Sequence, residues 1–102
     1  MLVIAKENIM PELSHVEGKN VGTIILYALS TCIWCKKARN LLDELKIDYY
    51  YTYVDLLSGE ETAGVKDTIR QWNPQCSYPT LVINSESCIV GFDEEKIREL
   101  VK

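Results

Sequence analysis

The clearest pattern in the chain is an almost unbroken apolar run, Thr23-Ile24-Ile25-Leu26-Tyr27-Ala28. A strand buried on both faces reads this way. Beyond it the period changes. Ala38, Leu41, Leu42 and Leu45 recur at helical spacing, while Lys36, Lys37, Arg39, Asp43 and Glu44 fall on the other side. This predicts an amphipathic helix from Cys32 to about Lys46. Tyr49 to Val54 is aromatic and β-branched and predicts a second strand. A strand, a helix and a strand of these lengths form a βαβ unit, whose two strands are parallel.

The second half of the chain reads differently. Ser58-Gly59-Glu60-Glu61 has the form of a capping box, and Val65, Ile69 and Trp72 share one face of the helix it opens. Asn73-Pro74 ends that helix. Thr80 to Ile83 and Cys88 to Val90 are short apolar runs around the polar turn Asn84-Ser85-Glu86-Ser87, hence a hairpin. Gly91 closes it, and Asp93 caps a last helix with Ile97, Leu100 and Val101 facing inward. The expected architecture is α/β: a four-stranded mixed sheet flanked by helices, in the order βαβ-α-ββ-α, over residues 23–102. Residues 1–22 form an N-terminal extension that packs on the domain or stays mobile. Within it Leu2-Val3-Ile4 has strand character, and Glu7 to Leu13 has weak helical periodicity broken by Pro11. His15, the only histidine, reads as a surface residue of the extension.

Composition narrows the function classes. A net charge of −4 without a basic tract argues against nucleic-acid binding through phosphate neutralisation. No apolar run approaches the roughly 18 residues that span a bilayer. The N-terminal residues do not resemble a signal peptide, so the expected location is the cytosol. There, four cysteines point to catalysis, metal binding or burial before structural disulfides.

Two of those cysteines, Cys32 and Cys35, stand three apart where the first strand gives way to the first helix. Unpaired N–H groups and the positive end of the macrodipole at a helix N-terminus stabilise a thiolate. Cys32 is therefore the candidate nucleophile. Cys35, one turn in and more buried, is the candidate resolving thiol. Trp34 is expected to be exposed beside Cys32, as an apolar rim for a partner. Lys36 and Lys37 stand at the wrong end of the helix for its dipole, which suits a role near the thiolate or an acidic partner. Tyr49, Tyr50, Tyr51 and Tyr53 read as ordinary strand residues. Cys76 is either a reactive thiol near the active-site edge or a loop thiol, and Cys88 reads as a small buried residue. A zinc site built from all four cysteines has only one pair at ligand spacing.

With these residues in view, the chain from about Thr23 onward resembles the glutaredoxin family of the thioredoxin fold. The resemblance rests on the Cys-x-x-Cys at the first strand–helix junction and on Ser77-Tyr78-Pro79-Thr80 opening the third strand. Gly91-Phe92-Asp93-Glu94 before the last helix completes it. It implies that Pro79 is a cis-proline facing the cysteine pair, leaving the Tyr78 main chain free to pair with an extended substrate. It implies that Gly91, Phe92, Asp93 and Glu94 hold the γ-glutamyl end of glutathione, and that Gln75 contacts its glycine carboxylate. The chain departs from the family at Ile33-Trp34, where Pro-Tyr is usual, at Leu29, where lysine is usual, and at Val90, where a first glycine is usual.

The expected function is dithiol oxidoreduction of protein or glutathione-mixed disulfides, by a monomer with no tightly bound cofactor and no metal. The reductant is glutathione or a thioredoxin-type flavoprotein reductase. The competing expectations are an iron–sulfur or zinc protein of the same family and a non-catalytic thioredoxin-fold binding module.

Overall fold

The computed structural model describes residues 13–102. Leu2-Val3-Ile4 and most of the Glu7–Leu13 stretch lie outside the described residues. The elements run β1 (Ser14–Val16), β2 (Ile24–Ala28), α1 (Ile33–Glu44), β3 (Tyr49–Tyr53), a short 3-10 turn (Val54–Leu56), α2 (Gly59–Trp72), β4 (Thr80–Ile83), β5 (Ser87–Val90) and α3 (Glu94–Glu99). All four strands expected from the sequence are present.

The sheet order is β1-β3-β2-β4-β5. β2 and β3 are parallel, with Tyr27 opposite Thr52 and Ala28 opposite Tyr53. β4 runs antiparallel to β2 and to β5. The ends of β2 and β3 therefore emerge side by side on the edge where the cysteine pair begins, a favoured place for sites in sheets of this kind. β2 is central, and Ile24, Leu26 and Ala28 have no exposure at all, as the unbroken apolar run requires. One core layer joins β2 to α1 through Cys35, Ala38, Leu41 and Leu42, with Ile97 of α3 against it. The other joins Tyr27 and Val82 to Val65 and Ile69 of α2.

The extension contributes a fifth strand. β1 pairs antiparallel with β3, placing His15 opposite Tyr50. His15 is exposed, yet its ring stacks on Tyr50 at 4.4 Å and its Nε2 lies 3.0 Å from Asp48. Gly18 donates its N–H to the same Asp48 carboxylate at 3.0 Å. Hydrogen bonding from His15 holds the Asp48 carboxyl below its ordinary range. No apolar alternation marks Ser14–Val16; these polar contacts and the packing of Val16 against the core together hold the strand.

Boundaries shift where local geometry outweighs periodicity. α1 stops at Glu44, not Lys46, because Lys46 turns into the left-handed region at φ 59°. The capping box on α2 is formed in both directions between Ser58 and Glu61. Leu100 and Val101 pack against the core from beyond the end of α3.

Candidate active site

Cys32 is the N-cap of α1, in extended conformation at φ −90°, ψ 120°. Its Sγ stands where a capping oxygen usually does and accepts the N–H of Cys35 at 3.1 Å. Its carbonyl accepts the first helical bond from Lys36 at 3.1 Å. No acidic residue occupies the first turn of α1 to oppose a negative sulfur. Cys35 faces the core and is 1% exposed. Burial, then the hydrogen bond with Cys32, push the Cys35 thiol up to about 12, with the charges of Cys32 and Asp55 adding to the rise. The two sulfurs thus occupy opposite environments: one half-exposed on a helix terminus, the other dry and held as a thiol.

The Tyr78–Pro79 bond is cis and Pro79 is fully buried. Its carbonyl accepts the N–H of Gly91 at 2.8 Å, joining the proline loop to the turn before α3. The loop is braced by Asn73, whose Nδ2 donates to Ser77 O (3.2 Å), Ser77 Oγ (2.9 Å) and Thr80 Oγ1 (3.0 Å). Tyr78 packs against both core layers. Burial and a hydrogen bond with Cys76 raise its phenol, and Cys35 is close enough to add to that rise.

Trp34 is 53% exposed and stacks on Phe92 at 6.1 Å; its chain neighbour Ile33 is exposed, as is Val90 at the end of β5. Trp34 is thus exposed, as expected, and its contact with Phe92 links the start of α1 to the turn before α3. The two lysines part company. Lys37 Nζ sits 4.7 Å above the Trp34 ring, a cation–π contact, whereas Lys36 borders a groove shared with Cys32.

The acidic pair at the start of α3, the N-cap Asp93 and the first helical residue Glu94, makes local contacts. Asp93 caps the helix by accepting the Lys96 N–H at 3.1 Å, and Glu94 accepts from Arg98 Nε at 2.8 Å. Gln75 is exposed on the Asn73–Pro79 loop, and its N–H turns to Asn73 Oδ1 at 3.3 Å. Cys76 lies on that same loop in the left-handed region, φ 52°, with its sulfur 3.7 Å from Tyr78 Oη. Cys88 is half-buried and not fully buried as expected, because β5 is an edge strand; its Sγ lies 3.3 Å from Trp72 O.

Sequence reasoning missed three contributors. Asp55 accepts both the N–H (2.8 Å) and the Oγ–H (2.5 Å) of Ser30, pinning the loop that delivers Cys32. Those bonds hold its carboxyl below the ordinary range. The signal was available, since Ser30 and Asp55 follow the adjacent ends of two parallel strands. Asn73 was read as a helix stop only. Arg39, placed by its spacing on the polar face of the helix, donates to Tyr49 Oη (3.1 Å) and Tyr53 Oη (3.0 Å) and lies 3.9 Å from the Tyr51 ring.

Comparison with known proteins fits this geometry. The Glutaredoxin family model matches residues 24–88, from the first residue of β2 into β5. A crystal structure of a glutaredoxin from Methanosarcina mazei is 47% identical, covering 87% of this chain and 86% of its own, with a TM-score of 0.81. Methanoredoxin from Methanosarcina acetivorans is 46% identical over 81% of this chain and 87% of its own, with a TM-score of 0.80. An uncharacterized glutaredoxin-like 8.6 kDa protein of the Clostridium pasteurianum rubredoxin operon is 29% identical over 79 residues, 78% of this chain and 97% of that one. With its thioredoxin-like sheet and its cysteine pair at the β2–α1 junction, the chain belongs to the glutaredoxin family.

Proposed function

We propose that the protein is a dithiol oxidoreductase that reduces disulfides, with Cys32 as nucleophile and Cys35 as resolving thiol. One observation carries the reading: an accessible sulfur at a helix N-terminus accepts the N–H of a second cysteine whose own thiol is buried. The Cys32 thiolate attacks one substrate sulfur, the substrate S–S bond breaks, and the other sulfur leaves as a thiolate. A Cys32–substrate mixed disulfide results. Forming it removes the negative charge on Cys32 that helps hold the Cys35 proton. Cys35 then loses that proton and attacks Cys32, releasing the second substrate sulfur as a thiolate. The substrate gains two electrons and the pair ends as a Cys32–Cys35 disulfide. The Trp34–Phe92 shelf and the Tyr78 main chain are the surfaces against which a protein substrate aligns.

A dithiol or thiol donor must return the pair to its reduced state. The family works with glutathione, but Leu29 supplies no cation for a glutathione carboxylate, a loss that Lys36 in the same groove offsets only in part. A missing charge-assisted bond costs about 1–3 kcal/mol of binding. We therefore expect a thioredoxin-type reductase to support turnover better than glutathione. The test is reduction of a generic protein disulfide with each donor system, using wild type and Cys32→Ser. Activity that survives Cys32→Ser overturns the assignment of the nucleophile. Faster turnover with glutathione overturns the donor preference.

A further inference from the structure

Resting on the oxidoreductase reading above, we propose that the groove beside Cys32 selects disulfides in peptides or proteins that carry an acidic residue next to the reacting cysteine. The groove has a volume of about 240 Å³, and Leu29, Cys32, Lys36, Arg39, Asn40 and Asp43 are among the residues that line it. The spacing explains the lining. Positions 36, 39, 40 and 43 lie about one, two and three helical turns from position 32, so they form one stripe of α1 that leads away from the sulfur. This stripe is separate from the buried stripe of Cys35, Ala38, Leu41 and Leu42. It also holds none of the Trp34–Phe92 shelf.

The charge of the groove runs against that of the chain. The protein carries a net charge of −4, yet two cations and one carboxylate line this groove. Arg39 is held rigidly, but by neutral partners: two tyrosine hydroxyls and the face of a third ring. Asp43 spends an oxygen on the Tyr49 hydroxyl at 2.8 Å. Among the described residues neither Lys36 nor Arg39 forms a salt bridge. Lys36, within one helical turn of the nucleophile, is therefore the groove's cation without a carboxylate partner among the described residues, while Arg39 is joined to Asp43 through the Tyr49 hydroxyl.

A substrate strand crossing Cys32 meets two unlike surfaces. On one side an apolar side chain lies on Trp34 and Phe92. On the other a carboxylate meets Lys36, with the fixed guanidinium of Arg39 behind it. A basic residue at the same place faces repulsion. Selection acts on the attack of Cys32 and adds no chemical step.

The test uses three short peptides, each closed by one intramolecular disulfide and differing only in the residue beside one cysteine: Glu, Gln or Lys. The full chain reduces each with dithiothreitol as terminal reductant, and kcat/KM is compared at low and high salt. The expected order is Glu over Gln over Lys, with Glu over Gln by about 3- to 10-fold at low ionic strength. The preference shrinks in ~1 M salt, where screening acts over about 3 Å. Lys36→Gln brings the Glu-to-Gln ratio close to one, Lys36→Glu inverts the order, and Lys66→Gln, on α2, leaves the wild-type ratio. Equal reduction of all three peptides by wild type overturns the proposal and leaves the oxidoreductase reading standing. A preference unchanged in both Lys36 variants also overturns it. Failure to reduce any of the three overturns the oxidoreductase reading itself.

Discussion

The contrast between the two active-site sulfurs makes a quantitative prediction about alkylation. Cys35 is 1% exposed and its thiol is pushed up to about 12, with burial as the leading cause. At pH 8 that leaves roughly one Cys35 in ten thousand as thiolate, against roughly one in four for an ordinary cysteine near 8.5. Burial also blocks approach of the reagent. Iodoacetamide added to fully reduced protein at pH 8 should therefore label Cys32 at least ~1000-fold faster than Cys35, with peptide mass spectrometry resolving the four cysteines. The Cys32→Ser variant sharpens the test. It removes the charge that Cys32 contributes, but not the burial, and the serine hydroxyl still caps the helix. Cys35 should become somewhat more reactive and still react far more slowly than in urea-unfolded protein. The sign of the pH dependence follows. A thiol raised by folding disfavours ionisation in the native state, so its contribution to stability holds below about 9 and is lost as pH climbs toward about 12. Native-state labelling of Cys35 at a rate comparable to Cys32 would refute the reasoning.

Further outcomes follow from named contacts. Asp55→Asn weakens the bonds that pin Ser30, and disulfide reduction should fall about 3- to 10-fold in kcat/KM, with the melting temperature lowered by a few degrees. Gly91 has φ +80° with nothing within 4 Å of where a Cβ would stand, so Gly91→Ala should cost about 1 kcal/mol by denaturant titration, from backbone strain and not crowding. Leu42 is wholly buried between α1 and the sheet, and Leu42→Ala should destabilise by about 2–5 kcal/mol in the same assay. Asp48 has a depressed carboxyl, so its bonds to His15 and Gly18 stabilise β1 above about pH 4 and are lost as pH falls below it. Hydrogen exchange at β1 should then rise in acid, and Asp48→Asn should abolish that pH dependence.

Much of this was legible in the residues. The run from Thr23 to Ala28 and the helical spacing after it identify a buried strand leading into a cysteine-capped helix. That junction is what makes Cys-x-x-Cys chemically meaningful. Ser58 and Glu61, and Asp93 before α3, were readable because capping needs particular residues at fixed offsets. The rest was less visible because it depends on contacts between segments distant in sequence. β1 is too short to show alternation, and besides Val16 against the core it is held by His15, Asp48 and Tyr50. Asn73 ends α2 but also braces a loop up to seven residues onward. Lys36 and Lys37 are neighbours with the same charge, and only the positions of Trp34 and of the groove give them different surroundings. Ser30 and Asp55 become a pair once β2 and β3 are placed in parallel register.

The most direct test of the central claim is to trap the mixed disulfide. In Cys35→Ser the resolving thiol is gone, so incubation with a disulfide-containing protein should accumulate a covalent adduct, reversible by dithiothreitol and mapped by mass spectrometry to Cys32. Wild type should show no such accumulation and should instead yield the Cys32–Cys35 disulfide. An adduct mapped to Cys76, or none at all while wild type reduces the same substrate, would contradict the account.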